Sequence, residues 1–371
     1  MTTCPRSRRT GVLDQLAAEG VGLWLDDYHR GRLADGSLER LVADGLVGGV
    51  ISRPAAVARA ISDTTVYGDQ LSRLSRAAAS AEERVYALIA EDVRAACTAL
   101  EPMFRATKGL HGWVSLGIAP RLAADAKAMA DHSRRLAEMV DRPNVLIRIP
   151  AVVRGLAAAG DVLAHGVGVH VTSVYSVQRY AQAVDAYFRG LERATADGHA
   201  ASAVTSLVSL DIGHLNAGVD ALLEGSANPC AAALRGQAGV ATARLVYRRY
   251  EESLGGSHWR SLVADGARPQ RLLWTSENAP ESPRAALDRV ERLIAWMTLH
   301  ALPQQALEAL DLGEGFHGDT LSGEQAAACR VLDSYGWAGI VLDSLARDLE
   351  AAAIERERAA WDKLLTAVQA G

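Results

Sequence analysis

Short β-branched runs alternate with longer amphipathic stretches along most of the chain. Strand-like runs fall at 22–26 (GLWLD), 48–53 (GGVISR), 113–118 (WVSLGI) and 144–149 (NVLIRI). Four more follow at 168–175 (GVHVTSVY), 203–210 (AVTSLVSL), 271–276 (RLLWTS) and 297–302 (MTLHAL). Between them lie stretches such as 81–100 and 121–140, with apolar residues at i, i+3 and i+4, the spacing of a helix with one apolar face. Strands separated by helices, with no long Pro/Ser-rich linker, predict an α/β chain folded as a single (β/α)8 TIM barrel over residues 1–320. Residues 321–371 are expected to add helices, notably over 341–370, packed on the barrel exterior. A doubly wound open sheet is the alternative, but no GxGxxG or P-loop follows any strand.

A barrel of this kind does its chemistry where the strands end, at the C-terminal face. Side chains alternate along a strand between the barrel interior and the helix layer. On this pattern Trp24 and Asp26 share a side, as do Ile51 and Arg53, Leu146 and Arg148, His170 and Thr172, and Ser209 and Asp211. If those sides face inward, one mouth collects two carboxylates, two guanidiniums, an imidazole and two hydroxyls. The stretch at 143–150, PNVLIRIP, plants Arg148 in an otherwise apolar strand and makes its role the main question.

Composition narrows the field. The chain has 371 residues, 49% of them hydrophobic, enough for a large core, and its net charge of −5 offers no reason to expect a nucleic-acid partner. Residues 1–10 are basic but no apolar region follows, so no secretory signal is expected. No apolar run reaches the roughly 18 residues of a membrane span. The four cysteines (Cys4, Cys97, Cys230, Cys329) are scattered, with no CxxC pair. A soluble, cytoplasmic monomer or homodimer without cofactor is the expectation. Only three of the 39 basic side chains are lysines, Lys108, Lys127 and Lys363, and none falls at a strand end facing the mouth.

With these positions assembled, the chain resembles the transaldolase family, in its longer, actinobacterial-type members. The likeness runs through GLWLDDYHRGRL, SLERLVADGLVGGVISRPAAVARAI, WVSLGIAPRLAADAKAM, DRPNVLIRIPA, AQAVDAYFRGLE, ATARLVYRRYEE, GARPQRLLWTS and AAWDKLL. It implies a class I aldolase-type barrel that moves a three-carbon ketol unit through a Schiff base on a lysine. The resemblance also implies where that pattern is broken. Arg148 stands at the lysine position, Gly117 at that of an acid that relays a proton through water, and Arg53 and His170 at two asparagines. His214 and Pro280 stand at two cationic phosphate anchors, and Asp211 at an aromatic residue. Asp26 keeps the family's proton-transferring aspartate, and Thr172 and Ser209 keep their hydroxyls.

A guanidinium stays protonated and supplies no free amine. The expectation is therefore an enzyme that has lost Schiff-base chemistry. It would carry out non-covalent acid–base chemistry, as an isomerase, lyase or cyclase in secondary metabolism, on a small anionic carbonyl or polyol compound. Asp26, Arg148, His170 and Asp211 would be catalytic, and Arg53, Thr172, Ser209 and His214 would bind substrate. Two alternatives remain: a transaldolase of the pentose phosphate pathway transferring a dihydroxyacetone unit, and a non-catalytic descendant that binds a metabolite or partner. An Arg148–Asp26 or Arg148–Asp211 ion pair plugging the barrel is the structural alternative. Metal binding by His170, Asp211, His214 and Asp26 is disfavoured, because the neighbouring arginines repel a cation.

Overall fold

Eight parallel strands close into a barrel in sequence order in the computed structural model: β1 (Gly22–Tyr28), β2 (Gly49–Ser52), β3 (Trp113–Gly117), β4 (Val145–Pro150), β5 (Val169–Val174), β6 (Ser206–Asp211), β7 (Arg271–Thr275) and β8 (Thr298–Leu302). The structure describes residues 11–63, 66–76, 80–224, 231–276, 282–310, 316 and 318–370. Every strand lies within two or three residues of its expected span, and β8 pairs with β1 to complete the ring. The closed TIM barrel is thus present. The strands are buried along nearly all their length, as parallel strands covered by helices on one side and by barrel filling on the other must be.

The barrel interior is packed rather than hollow. Trp24, Ile51, Trp113, Leu146, Leu207, Leu273, Leu299 and Ala301 form one buried apolar cluster inside it. Trp24 fits because β2 opens with Gly49: a Cβ there would collide with the indole ring. The larger core lies between the strands and the surrounding helices, with Leu25, Val50, Val114, Ile147, Val171 and Val208 on the outward side of the same strands. The alternation read from the sequence therefore sorts the two layers correctly.

The tail is helical, over Gln325–Trp337 and Leu342–Ala370, and packs on the helices around the barrel. Its last helix, Leu342–Ala370, packs on the helix Pro54–Asp63 and also reaches β5 and the C-terminal face. It is anchored by apolar and charged contacts. Trp361 is buried with its ring 5.3 Å from that of Tyr86, and the Glu350 carboxylate receives two guanidinium bonds of 2.7 Å from Arg179. Among the described residues, no helix is long and apolar enough to cross a membrane.

Candidate functional site

The strand ends place a polar cluster at the C-terminal face. Arg148, near the end of β4, is 6% exposed, and Arg53, just past β2, is 4% exposed. Burying two guanidiniums is costly unless anions or carbonyls meet them. Arg53 is met by Asp26: its Nε and Nη2 both lie 2.6 Å from Oδ1. Arg148 donates from Nη1 to the Ser52 carbonyl at 3.2 Å, and its Nη2 lies 3.7 Å from an oxygen of Glu357. The same carboxylate stands 3.8 Å from Nη1 of Arg53. The expected plug, Arg148 with Asp26 or Asp211, is therefore replaced by a different pairing. Asp26 is held by the neighbouring strand's arginine, and the charge opposite Arg148 comes from the C-terminal helix.

Gly117, at the end of β3, explains how Arg148 fits. A Cβ on Gly117 would lie 2.9 Å from Nη2 of Arg148, so the guanidinium occupies the space a side chain at 117 would need. Gly117, Arg148 and Thr172 line a small cavity together with Ala119, Pro150 and Glu357, and its volume is about 40 Å³.

The remaining residues form two further groups. Asp211 closes β6 and accepts from the His214 backbone N–H at 3.1 Å, from the Tyr175 hydroxyl at 3.3 Å and shares a 2.7 Å bond with Nδ1 of His214. Tyr175 in turn accepts from Arg356 of the C-terminal helix at 3.1 Å. His170 is deeper, 1% exposed, with Nδ1 2.8 Å from the Ser115 hydroxyl and its ring edge-on to Trp24. Ser209 is fully buried and, among the described residues, its Oγ meets no hydrogen-bond partner. Pro280 lies outside the described residues. The three lysines are all exposed: Lys108 before β3, Lys127 paired with Asp131, and Lys363 on the last helix. Among the described residues, no cluster of three or more metal-ligating side chains occurs.

Sequence reasoning missed Glu357, Ser115 and Tyr175. For Glu357 a signal existed. The buried stripe of the last helix runs Ala346, Glu350, Ala353, Trp361, Leu364, Val368, and Glu357 falls at the same three- and four-residue spacing. A glutamate inside such a stripe needs a cation opposite it.

Comparison with known proteins decides the family. A profile of the transaldolase/fructose-6-phosphate aldolase family matches residues 23–368. The chain belongs to that family. It is 40% identical over 359 residues to a transaldolase of Acidothermus cellulolyticus, covering 97% of this chain and 96% of the relative. It is 38% identical over 358 residues to a transaldolase of Mycolicibacterium smegmatis, covering 96% of each. It is 37% identical over 356 residues to transaldolase 1 of Streptomyces avermitilis, covering 96% of this chain and 94% of that one.

These family relatives overturn the expected isomerase, lyase or cyclase of secondary metabolism. Near-full-length likeness at this level to chains named transaldolase favours the transferase alternative instead. The expectation failed because it let one position, Arg148, outweigh the rest of the chain.

Proposed function

We propose that this protein is a transaldolase, moving a dihydroxyacetone unit from a ketose phosphate donor to an aldose phosphate acceptor. The observation that carries the reading is the 40% identity to a transaldolase over 97% of the chain. Donor cleavage breaks the C3–C4 bond and leaves negative charge at the C2 oxygen. Arg148 lines the mouth cavity, and a largely buried guanidinium there suits a developing oxyanion, with its position held by the Ser52 carbonyl. By resemblance this is the position of the imine-forming lysine. A guanidinium cannot be that amine. On this reading Arg148 holds the C2 oxygen by charge-assisted hydrogen bonds.

Arg53 and Asp26 then act as a pair, Asp26 fixing the guanidinium that faces the same carboxylate as Arg148. Thr172 lines the cavity and offers its hydroxyl to a donor hydroxyl. Asp211 and His214 form a hydrogen-bonded couple for the acceptor side, and Ser209 offers a buried hydroxyl below them. The test is transfer from fructose 6-phosphate to a four-carbon aldose phosphate. The wild type should produce a seven-carbon ketose phosphate, and Arg148→Ala should lose about 10- to 100-fold in kcat/KM, carried mainly by kcat, the worth of one charge-assisted hydrogen bond to the developing oxyanion. No transfer by the wild type refutes the reading. An Arg148→Ala variant with unchanged kinetics removes Arg148 from it.

A further inference from the structure

Among the described residues, three carboxylates reach the barrel mouth, and they differ in how far protein donors occupy them. Asp26 is held at 2.6 Å by Arg53, and Asp211 accepts from His214 and Tyr175. Glu357 is engaged differently. Its two nearest cations, at 3.7 and 3.8 Å, lie beyond the 2.7–2.9 Å of a charge-assisted hydrogen bond. Its side chain is 27% exposed, and among the described residues it is the one carboxylate lining the cavity with Arg148 and Thr172. Two guanidiniums keep it close while its oxygens remain open to a ligand hydroxyl. Strand β3 offers no competing acid here, because the Arg148 guanidinium fills the space beside Gly117.

We propose that Glu357 is a catalytic residue, the general base and acid that moves the proton of the cleaved hydroxyl of a polyhydroxy-ketone donor. This role rests on the transaldolase reading above. Glu357 takes the proton from the C4 hydroxyl, and the O–H electron pair forms the C4 carbonyl. The C3–C4 bond breaks and its electrons pass through C2 to the C2 oxygen, beside Arg148. The released aldehyde leaves, an acceptor aldehyde enters, and the same electrons return to form the new C–C bond. Glu357 then delivers its proton to the new hydroxyl. Proton transfer by a positioned side chain contributes roughly 10²–10⁴-fold.

The experiment compares wild type, Glu357→Gln, Glu357→Asp and Arg356→Ala in the transfer assay across pH, with donor binding and thermal unfolding measured in parallel. Glu357→Gln should lose about 100-fold or more in kcat with little change in KM. It should also lose the acidic limb of the wild-type pH profile, which Glu357→Asp partly restores. Arg356→Ala, which removes a neighbouring helix-to-mouth contact, should keep that limb. If Glu357→Gln keeps its kcat and pH profile, or if it and Arg356→Ala fall alike without a change in profile, Glu357 only positions the helix and the proposal is overturned. If Glu357→Gln does not fold, Glu357→Asp decides: an unshifted profile at full kcat contradicts the role. Absence of transfer by the wild type is a separate outcome, which removes the transaldolase reading and this role with it.

Discussion

At the scale of single residues, the mouth is shaped by how Arg148 is accommodated. Its guanidinium lies where a side chain at 117 would project, 2.9 Å from a Cβ built there. Gly117→Ala should therefore displace the guanidinium by a few tenths of an ångström or more without unfolding the barrel. We expect a drop in kcat with Tm nearly unchanged, since the guanidinium can yield more cheaply than backbone. An unchanged kcat would mean that the position of Arg148 is not critical. The inward side of Arg148 was legible, because strand alternation assigns faces. Its partner was not. Which carboxylate meets a guanidinium at a barrel mouth depends on register between strands and on chain 200 residues away, and neither is written in local pattern. Asp26 found Arg53 one strand over, and Glu357 filled the opposing place.

The element that matters most is the last helix. Its 3.6-residue stripe was visible, and its helical state with it; that the stripe faces the barrel mouth was not, because periodicity shows that a face is buried without showing against what. Trp361 pins this helix beside Tyr86 and is 5% exposed. Trp361→Ala should cost about 3–5 kcal/mol, the usual loss for a buried large aromatic. It should also lower kcat, because the turn carrying Glu357 lies four residues before it. Denaturant unfolding and the transfer assay together check this. A destabilised variant with full kcat per folded molecule would detach the helix from the chemistry. The Arg179–Glu350 pair provides a second anchor, so local loosening at Trp361 should not release the whole helix.

For the whole molecule, stability should depend on pH through histidines held neutral in the fold. His300 on β8 is fully buried on the helix-facing side, and burial, assisted by the Arg289 charge, pushes its pKa from the usual 6.5 down to about 3. Such a group stabilises the fold above the unfolded value and ceases to do so as pH falls. The loss sets in near pH 6.5 and is complete near pH 3, at up to about 1.4 kcal/mol per pH unit. His300→Gln should flatten the acid side of a stability–pH curve by that slope. An identical slope in both proteins would show that His300 does not carry it.

The barrel itself was legible at this scale because eight strand patterns and their helices repeat along the chain, whereas function was not legible from one substituted position. Arg148 argued against transfer, and 36–40% identity over nearly the full length to chains named transaldolase argued for it. The direct test is carbon tracing: wild-type protein, fructose 6-phosphate labelled with carbon-13 at C1, and a four-carbon aldose phosphate. A transaldolase should yield a seven-carbon ketose phosphate carrying the label at C1, together with an unlabelled three-carbon aldehyde phosphate. Label that stays in fructose 6-phosphate, or that emerges only in free dihydroxyacetone, would contradict the transaldolase reading.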